Sequence, residues 1–459
     1  MRQADRQHEN DAGGEASGGD GVRMEAHEPS AKYLAGAQFQ VSEVGLIPLD
    51  WEVIALATRA AIQSGIAKNT NATLRDPISV PYLRVANVQD GYLDLGEVST
   101  IDIERTDLRR YAVLPGDVLM NEGGDLDKLG RGAIWNGQIR SCVHQNHVFV
   151  VRCGQGLIPE YLNAWTSSAQ ARRYFVLAGR QTTNLASINK TSLGELTVAV
   201  PPTEREQHEI AAALTDADAL IDSLEQLLTK KRQIKQGAMQ ELLTGKRRLP
   251  GFSRPWAAVR LGDIGRTYGG LTGKSKVDFG HGSAKYVTFM NVMTNVTMTL
   301  DQVERVDIGP AESQNRVQPG DLLFNGSSET PEEVAFCSRV QACNEDVYLN
   351  SFCFGFRPSG TASISELFMA YFFRARPGRL AVSSLAQGAT RYNISKAALL
   401  QAPLTLPDVM EQHAIAETLS VLDSEMTALE ARLTKARALK QAMAQALLTG
   451  RIRLVARAA

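Results

Sequence analysis

The chain has 459 residues, of which 44% are hydrophobic and 22% charged, and its formal net charge is −1. This length is enough for two to four domains, and the near-zero charge excludes a chain that binds nucleic acid along its whole surface. No apolar run is long enough to cross a membrane, and no apolar stretch follows the first methionine, so we expect a cytoplasmic protein. Five cysteines without a CxxC pair indicate free thiols.

Residues 1–40 are rich in Gly, Asp, Glu, Ser and His and poor in large apolar side chains. Such a segment buries too little apolar surface to offset the entropy of ordering, so we predict a disordered extension. Met24 is a second candidate for the first residue, and the true start therefore stays open.

Residues 45–202 combine short strand-like runs with turns built from Gly, Pro, Asn and Asp, which is typical of an α+β domain. The runs include PYLRVANV, GDVLMN and HVFVVRC, and a short helix is expected from Pro159 to Phe175. The order of the strands cannot be read from this pattern.

Two cysteines and two histidines lie close together in CVHQNHVFVVRC, residues 142–153. They could ligate zinc or belong to a half-buried strand. The spacing does not match that of a zinc knuckle, so it favours the strand, and we predict no metal site.

Residues 203–249 predict a long helix, because the 38 residues from Glu206 to Leu243 contain no Pro and only one Gly. At about 1.5 Å per residue this helix is roughly 57 Å long, and Gly245 is a stop signal. Its apolar residues recur at alternating steps of four and three, the pattern of a coiled-coil seam. The predicted seam comprises Ile210, Leu214, Ile221, Leu224 and Leu228.

The second half follows the same plan, with an α+β domain predicted at residues 251–405 and a helix at 406–455. Short runs such as KYVTFMNV, GDLLFNG and SFCFGFRP indicate its strands, and Gly450 follows the last apolar residues of the helix. The predicted seam of this helix comprises Ile415, Leu419, Leu422, Met426 and Leu429.

An internal repeat with a period near 205 residues relates the two halves. KQGAMQELLTGKRRL at 235–249 and KQAMAQALLTGRIRL at 440–454 are identical at nine of fifteen positions. A tryptophan and the Asn-Val, Pro-Gly-Asp and Glu-Gln-His motifs of the first half recur in the same order in the second half. We infer a tandem duplication and a pseudo-two-fold molecule in which the two helices pair antiparallel.

Sequence motifs for catalysis are missing. GGLTGKS at 269–275 resembles a phosphate-binding loop, but the first glycine is one residue too close to Gly273. No methyl-donor loop, Gly-x-Ser-x-Gly elbow or HExxH pair occurs. A binding and scaffolding protein is therefore favoured over an autonomous enzyme, with His208 and His413 read as polar first-turn residues of the helices.

Arg, Asn and Gln in turn-like stretches are the candidates for DNA contact, because their side chains read guanine and adenine edges by paired hydrogen bonds. GRQTTNLASINK at 179–190 matches GATRYNISK at 388–396, although a capped loop also explains this pattern. Residues 228–248 carry seven basic residues and one acid, a charge of +6, which fits phosphate attraction and a solvated helix end equally well. The full candidate set is Arg84, Asn87, Asn121, Arg180, Gln181, Thr182, Asn184, Lys190, Asn291, Asn325, Thr390, Arg391, Tyr392, Asn393 and Lys396.

The two segments PPTEREQHEIAAALTDADALIDSLEQLL and PDVMEQHAIAETLSVLDSEMTALEARLT, each closing a globular domain, resemble the specificity subunit of type I DNA restriction–modification systems. The resemblance extends from about residue 45 to 455. The second copy departs from the first by having Leu406-Pro407 in place of Pro201-Pro202, and the acidic extension is unusual.

The resemblance implies two target-recognition domains, at 45–202 and 251–405, that each read half of a split double-stranded DNA target. It implies that the helical regions at 203–249 and 406–455 space these domains and bind two methyltransferase subunits, and through them restriction subunits. S-adenosylmethionine, ATP and magnesium would then belong to those partners, and this chain would bind no cofactor. A coiled-coil scaffold without DNA specificity is the alternative hypothesis.

Overall fold

The computed structural model describes residues 38–68, 74–124, 129–181, 186–343, 346–360, 364–388 and 390–454, without the side chains of Arg180 and Gln181. The predicted N-terminal extension lies outside these residues up to position 37. The described residues form two compact units. Unit 1 comprises those up to Asp218 together with those from Leu439 onward, and unit 2 comprises Ala219–Ala438.

Unit 1 is a mixed α and β structure. Its strands are β1 Phe39–Ser42, β2 Gly45–Pro48, β3 Glu52–Ala55, β4 Ala60–Ser64, β5 Pro77–Leu83, β6 Ser99–Glu104, β7 Val118–Asn121, β8 Gly123–Gly124, β9 Gly132–Ile134, β10 Val143–His144, β11 Val148–Cys153, β12 Arg180–Gln181, β13 Ala186–Ser187 and β14 Thr197–Val200. Its helices are α1 Arg105–Tyr111, α2 Pro159–Thr166, α3 Ala169–Ala178 and α4 Lys190–Gly194, followed by the long helix α5 Glu204–Leu242.

Unit 2 has the same character. Its strands are β15 Ala257–Arg260, β16 Gly265–Gly269, β17 Phe279–Val287, β18 Val303–Val306, β19 Leu322–Asn325, β20 Ser327–Ser328, β21 Cys337–Arg339, β22 Val347–Leu349, β23 Cys353–Pro358, β24 Tyr392–Asn393 and β25 Pro403–Leu406. Its helices are α6 Leu261–Ile264, α7 Phe289–Thr294, α8 Glu366–Arg374, α9 Arg376–Ser383 and α10 Lys396–Gln401, followed by the long helix α11 Val409–Leu448.

The sheets of the two units correspond in strand order. An antiparallel sheet with the order β4-β11-β7-β9 in unit 1 matches β16-β23-β19-β21 in unit 2. A three-stranded sheet, β10-β5-β6, matches β22-β17-β18, each with one parallel and one antiparallel pairing. The predicted α+β class and the duplication are thus confirmed, and the strand order comes from the structure alone.

The repeated Pro-Gly-Asp motif forms the same turn in both units. Its glycine has a φ of 87° in each copy, a left-handed conformation that favours glycine. The aspartate that follows is buried and accepts two hydrogen bonds from an arginine of the neighbouring strand. In unit 1 Arg152 donates to Asp117 at 2.7 Å twice, and in unit 2 Arg357 donates to Asp321 at 2.8 Å twice. The motif recurs because it anchors the central strand of each sheet.

The long helices contribute to three hydrophobic clusters, so the seam is shorter than predicted. Only Ile221, Leu224, Leu228, Met426 and Leu429, with Leu433, pack together as a helix–helix seam. The other predicted seam residues point into the globular cores instead. Ile210 and Leu214 lie in the core of unit 1, which also contains Leu447 and Leu448, and Ile415, Leu419 and Leu422 pack in or against the core of unit 2.

Ion pairs in unit 2 show that α5 and α11 run antiparallel. Their charged atoms lie 2.5–2.8 Å apart, and from the first pair on α5 to the last the partner on α11 moves back from Arg437 to Asp423. The pairs are Glu225–Arg437, Lys231–Glu425, Arg232–Glu430 and Lys235–Asp423. With Arg248, which pairs with Glu411 of the same helix, four of the seven basic residues in the predicted +6 stretch therefore form ion pairs with acids of α11.

The Glu-Gln-His motif at the start of each long helix contacts the basic segment that follows the end of the other long helix. In unit 1 Arg453 bonds the buried Glu206, and it also contacts Asp50 at 3.1 Å. In unit 2 Arg248 bonds the buried Glu411 in the same way. We call these two contacts the tail ion pairs. Each joins the start of one long helix to the segment that follows the end of the other.

The glutamine of each Glu-Gln-His motif holds the start of a helix in its own unit. Gln207 accepts a hydrogen bond from the backbone N–H of Ile158, and Gln412 accepts one from Ser365, the residues that precede α2 and α8. The histidine that follows is exposed in both copies. Among the described residues no helix is both long and apolar enough to pass through a lipid bilayer.

Candidate nucleic-acid interface

In unit 2 the predicted loop 388–396 forms a hairpin that displays cationic side chains. Gln387 and Asn393 exchange two backbone hydrogen bonds of 2.8–2.9 Å, and β24 pairs with β20. Gly388 is required there, because its φ is 138° and a Cβ would lie 2.1 Å from the carbonyl oxygen of Arg391. Thr390, Arg391, Asn393 and Lys396 are exposed and Tyr392 is half-buried. The structure thus brings all five candidates of this loop to one surface.

In unit 1 the corresponding strands β12 and β13 pair antiparallel, and β13 also pairs with β8. Of the five candidates in this loop, Thr182 and Asn184 lie outside the described residues, and Arg180 and Gln181 are described in backbone only. Lys190 is exposed in the first turn of α4, as Lys396 is in α10. The side chains of Asn189 and Ser395 cap these helices, so the loops also have the capping role considered from the sequence.

Two asparagine candidates are buried in equivalent turns and are corrected to a structural role. Nδ2 of Asn87 donates to the carbonyl oxygens of Asp94 and Glu97 at 2.8 and 2.9 Å. Nδ2 of Asn291 donates in the same way at 2.7 and 3.1 Å. Because each amide satisfies buried backbone carbonyls, neither is available to a base edge.

The other two asparagines, at the ends of β7 and β19, are buried as well. Asn121 donates to the carbonyl oxygen of Val88 at 2.9 Å, and Asn325 donates to those of Ser327 and Glu333 at 3.1 and 2.9 Å. We remove all four asparagines from the candidate set. Arg84 is only half-buried and stays in it.

The cysteine and histidine cluster of unit 1 forms strands, as the spacing favoured. Nδ1 of the buried His144 lies 2.7 Å from the carbonyl oxygen of Val148, and burial lowers the pKa of His144. Burial also raises the pKa of Cys142 and of Cys153 to about 12. Within the described part of the chain no group of three or more His, Cys, Asp or Glu side chains could hold a metal ion.

The loop GGLTGKS is engaged with protein groups. The side chain of Lys274 is almost fully buried and its Nζ lies 2.6 Å from Oε1 of Glu312, while the backbone N–H of Thr272 donates to Gln314 at 3.1 Å. Since the lysine is neutralised inside the unit, this loop does not present a cation to a phosphate.

One aromatic residue of the interface was missed from the sequence. Phe352, in the turn between β22 and β23, is 58% exposed, and the guanidinium of Arg391 lies 5.6 Å from its ring centroid. In unit 1 the residue before the corresponding strand is His147, so the alignment of the repeats shows no shared residue type there. The only signal in the sequence is an aromatic residue directly after a turn-forming Asn-Ser pair.

The long helices present an apolar surface in unit 2. Leu220, Leu227 and Ile234 on α5 are 51%, 40% and 46% exposed at seven-residue spacing, so they lie on one face of the helix. A groove of about 820 Å³ continues this face, with Val421 of α11 and Phe252 also in its lining. Exposed apolar stripes of this kind mark protein–protein contact surfaces.

Comparison with known proteins gives consistent matches. The family model described as the type I restriction modification DNA specificity domain matches the chain twice, at residues 48–236 and 253–437. The type I restriction enzyme MjaX specificity subunit of Methanocaldococcus jannaschii is 25% identical over 436 residues, which are 91% of this chain and 97% of that protein. The type I restriction enzyme EcoKI specificity subunit of Escherichia coli is 23% identical over 166 residues, 36% of this chain and 35% of that protein.

Solved structures show the same fold. A chain from work on complex assembly and conformational transition of the type I R-M system has a TM-score of 0.52 at 16% identity, covering 88% of this chain and 99% of that one. The S subunit of a type I restriction-modification system from M. genitalium has a TM-score of 0.50 at 12% identity, covering 86% and 96%.

Proposed function

Since this chain belongs to the family of type I restriction modification DNA specificity domains, we propose that its two units read the two halves of one bipartite DNA target. The chain is a DNA specificity subunit, which supplies sequence recognition and not catalysis. The observation that carries the proposal is the duplication: two matched domains each have their own sheets and their own hairpin next to an exposed lysine.

The hairpin surfaces supply the DNA contacts. In unit 2 these are Thr390, Arg391, Tyr392, Asn393 and Lys396, and in unit 1 they are Arg180, Gln181, Thr182, Asn184 and Lys190. Arg84, which follows β5, is a further candidate in unit 1 outside the hairpin. Lysines position the DNA by contacting phosphates, whereas Arg, Asn and Gln distinguish base edges in the major groove.

The long helices bind the enzymatic partners. We assign the stripe Leu220, Leu227 and Ile234 and the adjoining groove to a methyltransferase subunit, because an exposed apolar face is stabilised when a partner covers it. The repeat supplies two copies of the helix-end segment, and we therefore expect two methyltransferase subunits, with restriction subunits joining through them. S-adenosylmethionine, ATP and magnesium act in those partners, which methylate adenine and cleave DNA in the cytoplasm.

The test is to express the chain with a partner methyltransferase and map methylated adenines in the host genome. One motif with two defined halves and a fixed gap is expected. Arg180→Ala is expected to relax one position of the half read by unit 1 and to leave the other half unchanged. Methylation without a sequence motif, together with equal binding of random DNA with and without the methyltransferase, would instead support a scaffold without DNA specificity.

A further inference from the structure

Phe352 is an exposed aromatic residue on a rigid turn. Its backbone N–H donates to Oδ1 of Asn350 at 2.9 Å, and its carbonyl oxygen accepts from the N–H of Gly326 at 2.9 Å. The next residue, Cys353, is held by the carbonyl oxygen of Asn350 at 3.0 Å. These bonds hold the backbone of the turn from which the ring, 58% exposed, projects. Aromatic side chains displayed in this way commonly serve recognition.

The guanidinium of Arg391 lies over this ring and is not paired with a described carboxylate. Its guanidinium carbon is 5.6 Å from the ring centroid, within the range of a cation–π contact. In the described part of the chain its side chain forms no ion pair. A planar guanidinium that rests on an aromatic face keeps its N–H edge free for paired hydrogen bonds.

The same turn in unit 1 has different chemistry. His147 occupies the position of Phe352, and its Nδ1 lies 2.7 Å from Oε2 of Glu122. The residue of unit 2 that corresponds to Glu122 is Gly326, so the carboxylate that contacts His147 in unit 1 has no counterpart at this position. The two units therefore present unlike groups at matching positions, as expected if they read different half-sites.

We propose that Phe352 is a positioning residue for base recognition: its ring holds the guanidinium of Arg391 in the orientation that reads one guanine in the half-site of unit 2. Arg391 would donate two hydrogen bonds to O6 and N7 of that guanine in the major groove. The inference rests on the proposed function, because it assigns a base to the hairpin surface of unit 2.

The experiment uses the full chain in complex with its methyltransferase and compares the methylated motifs of variants. Arg391→Ala is expected to reduce discrimination at one guanine by roughly 5- to 150-fold, the usual contribution of one bidentate contact. Arg391→Lys keeps the charge but lacks the planar fork, so a similar loss at the same base pair is expected. The other half-site should stay unchanged in both variants.

Two variants of Phe352 separate positioning from a merely structural role. Phe352→Ala is expected to reduce discrimination at the same guanine, whereas Phe352→Tyr keeps the ring face and should restore it. Loss of discrimination in both the alanine and the tyrosine variants, or a loss of discrimination spread evenly over the half-site, would contradict a positioning role for the Phe352 ring. If the wild type methylates a bipartite motif and both Arg391→Ala and Phe352→Ala methylate the same motif, this inference is wrong while the proposed function stands. A wild-type complex without any bipartite motif would overturn the proposed function itself.

Discussion

At the scale of single residues, the charged groups at the helix ends carry much of the architecture. The side chain of Arg453 is 9% exposed and that of Glu206 is 1% exposed, so the tail ion pair of unit 1 is shielded from water. The indole of Trp51 lies 5.7 Å from the guanidinium of Arg453, and Trp256 lies 5.8 Å from that of Arg248. The repeated tryptophan and the repeated tail arginine are thus parts of one contact, made once in each unit.

Removing the guanidinium of Arg453 should open part of unit 1. Arg453→Ala leaves the buried carboxylate of Glu206 without its partner, which costs about 3–5 kcal/mol. Hydrogen exchange is the suitable measurement, because a chain of two units need not unfold in one step. We expect faster exchange in unit 1 and unchanged exchange in unit 2. Arg451→Ala, at an exposed position of the same tail, is the control, and equal effects of the two changes would refute a specific role for the buried pair.

The effect of Arg453→Ala should depend on pH. Burial raises the pKa of Glu206 even with Arg453 present to oppose it, and without the guanidinium we expect this pKa to rise further. A carboxyl whose pKa is higher in the folded than in the unfolded state loses folding free energy as pH rises through the folded pKa. The difference in opening free energy between variant and wild type, taken from exchange rates corrected for the base-catalysed intrinsic rate, should therefore be larger at pH 8 than at pH 5. A difference that shrinks with rising pH would contradict this assignment.

Residue identity alone could not separate exposed from buried asparagines. Asn393 and Asn291 both follow short strand-like or turn-like runs, yet one is exposed and the other is fully buried. Burial of an amide depends on whether backbone carbonyls converge on it, as those of Thr299 and Gln302 do at Asn291. That convergence is a property of the folded chain, and no spacing rule predicts it.

At the scale of secondary structure elements, the two long helices follow closely from the sequence. An uninterrupted apolar period and a terminal glycine define them, and Gly245 and Gly450 have φ values of 69° and 65° as expected for helix stops. Periodicity shows which face of a helix is buried, but it does not show what covers that face. For this reason the predicted seam includes five residues, from the first parts of the two helices, that pack in or against the globular cores instead.

The exposed stripe on α5 gives a prediction about assembly. Leu227→Lys places a charge in the middle of the stripe, so it should weaken methyltransferase binding by at least about tenfold, as expected for a central contact residue. The seam residues Leu224 and Leu228 are untouched, and the helix content should not change. Gln226→Lys adds the same charge at an adjacent exposed position and serves as the control. Titration calorimetry would measure methyltransferase binding by both variants, and normal binding by the Leu227 variant would exclude this face as the methyltransferase contact.

At the scale of the whole molecule, the helices are predicted to set the gap between the two half-sites. Inserting seven residues into both α5 and α11 at the middle of the seam preserves its register and adds about 10.5 Å of helix. This length corresponds to about three base pairs of DNA at 3.4 Å each. Methylated motifs from a host that expresses this variant should therefore have a gap wider by about three base pairs. An unchanged gap in a stably assembled variant would show that helix length does not determine the spacing.

The repeat predicted two equal units, and the matching sheet orders bear this out. It could not predict how the chain is divided between them. In the folded chain α5 and α11 each contribute residues to both units. The two repeated tails, which contain Arg248 and Arg453, fit either glutamate equally well by sequence, so only the folded structure shows which pairs form.

The tail ion pair of unit 1 has a consequence for the order in which the protein is made. Unit 2 is continuous in the chain, whereas the core of unit 1 includes Leu447 and Leu448, close to the last described residue. During synthesis unit 2 has all its residues once position 438 has left the ribosome. Unit 1 begins first but has to wait for the final turn of α11 and for Arg453. We therefore expect unit 1 to be completed last, in contrast to the usual order in which the N-terminal unit is completed first, and premature termination near the C-terminus to destabilise the half that is synthesised first.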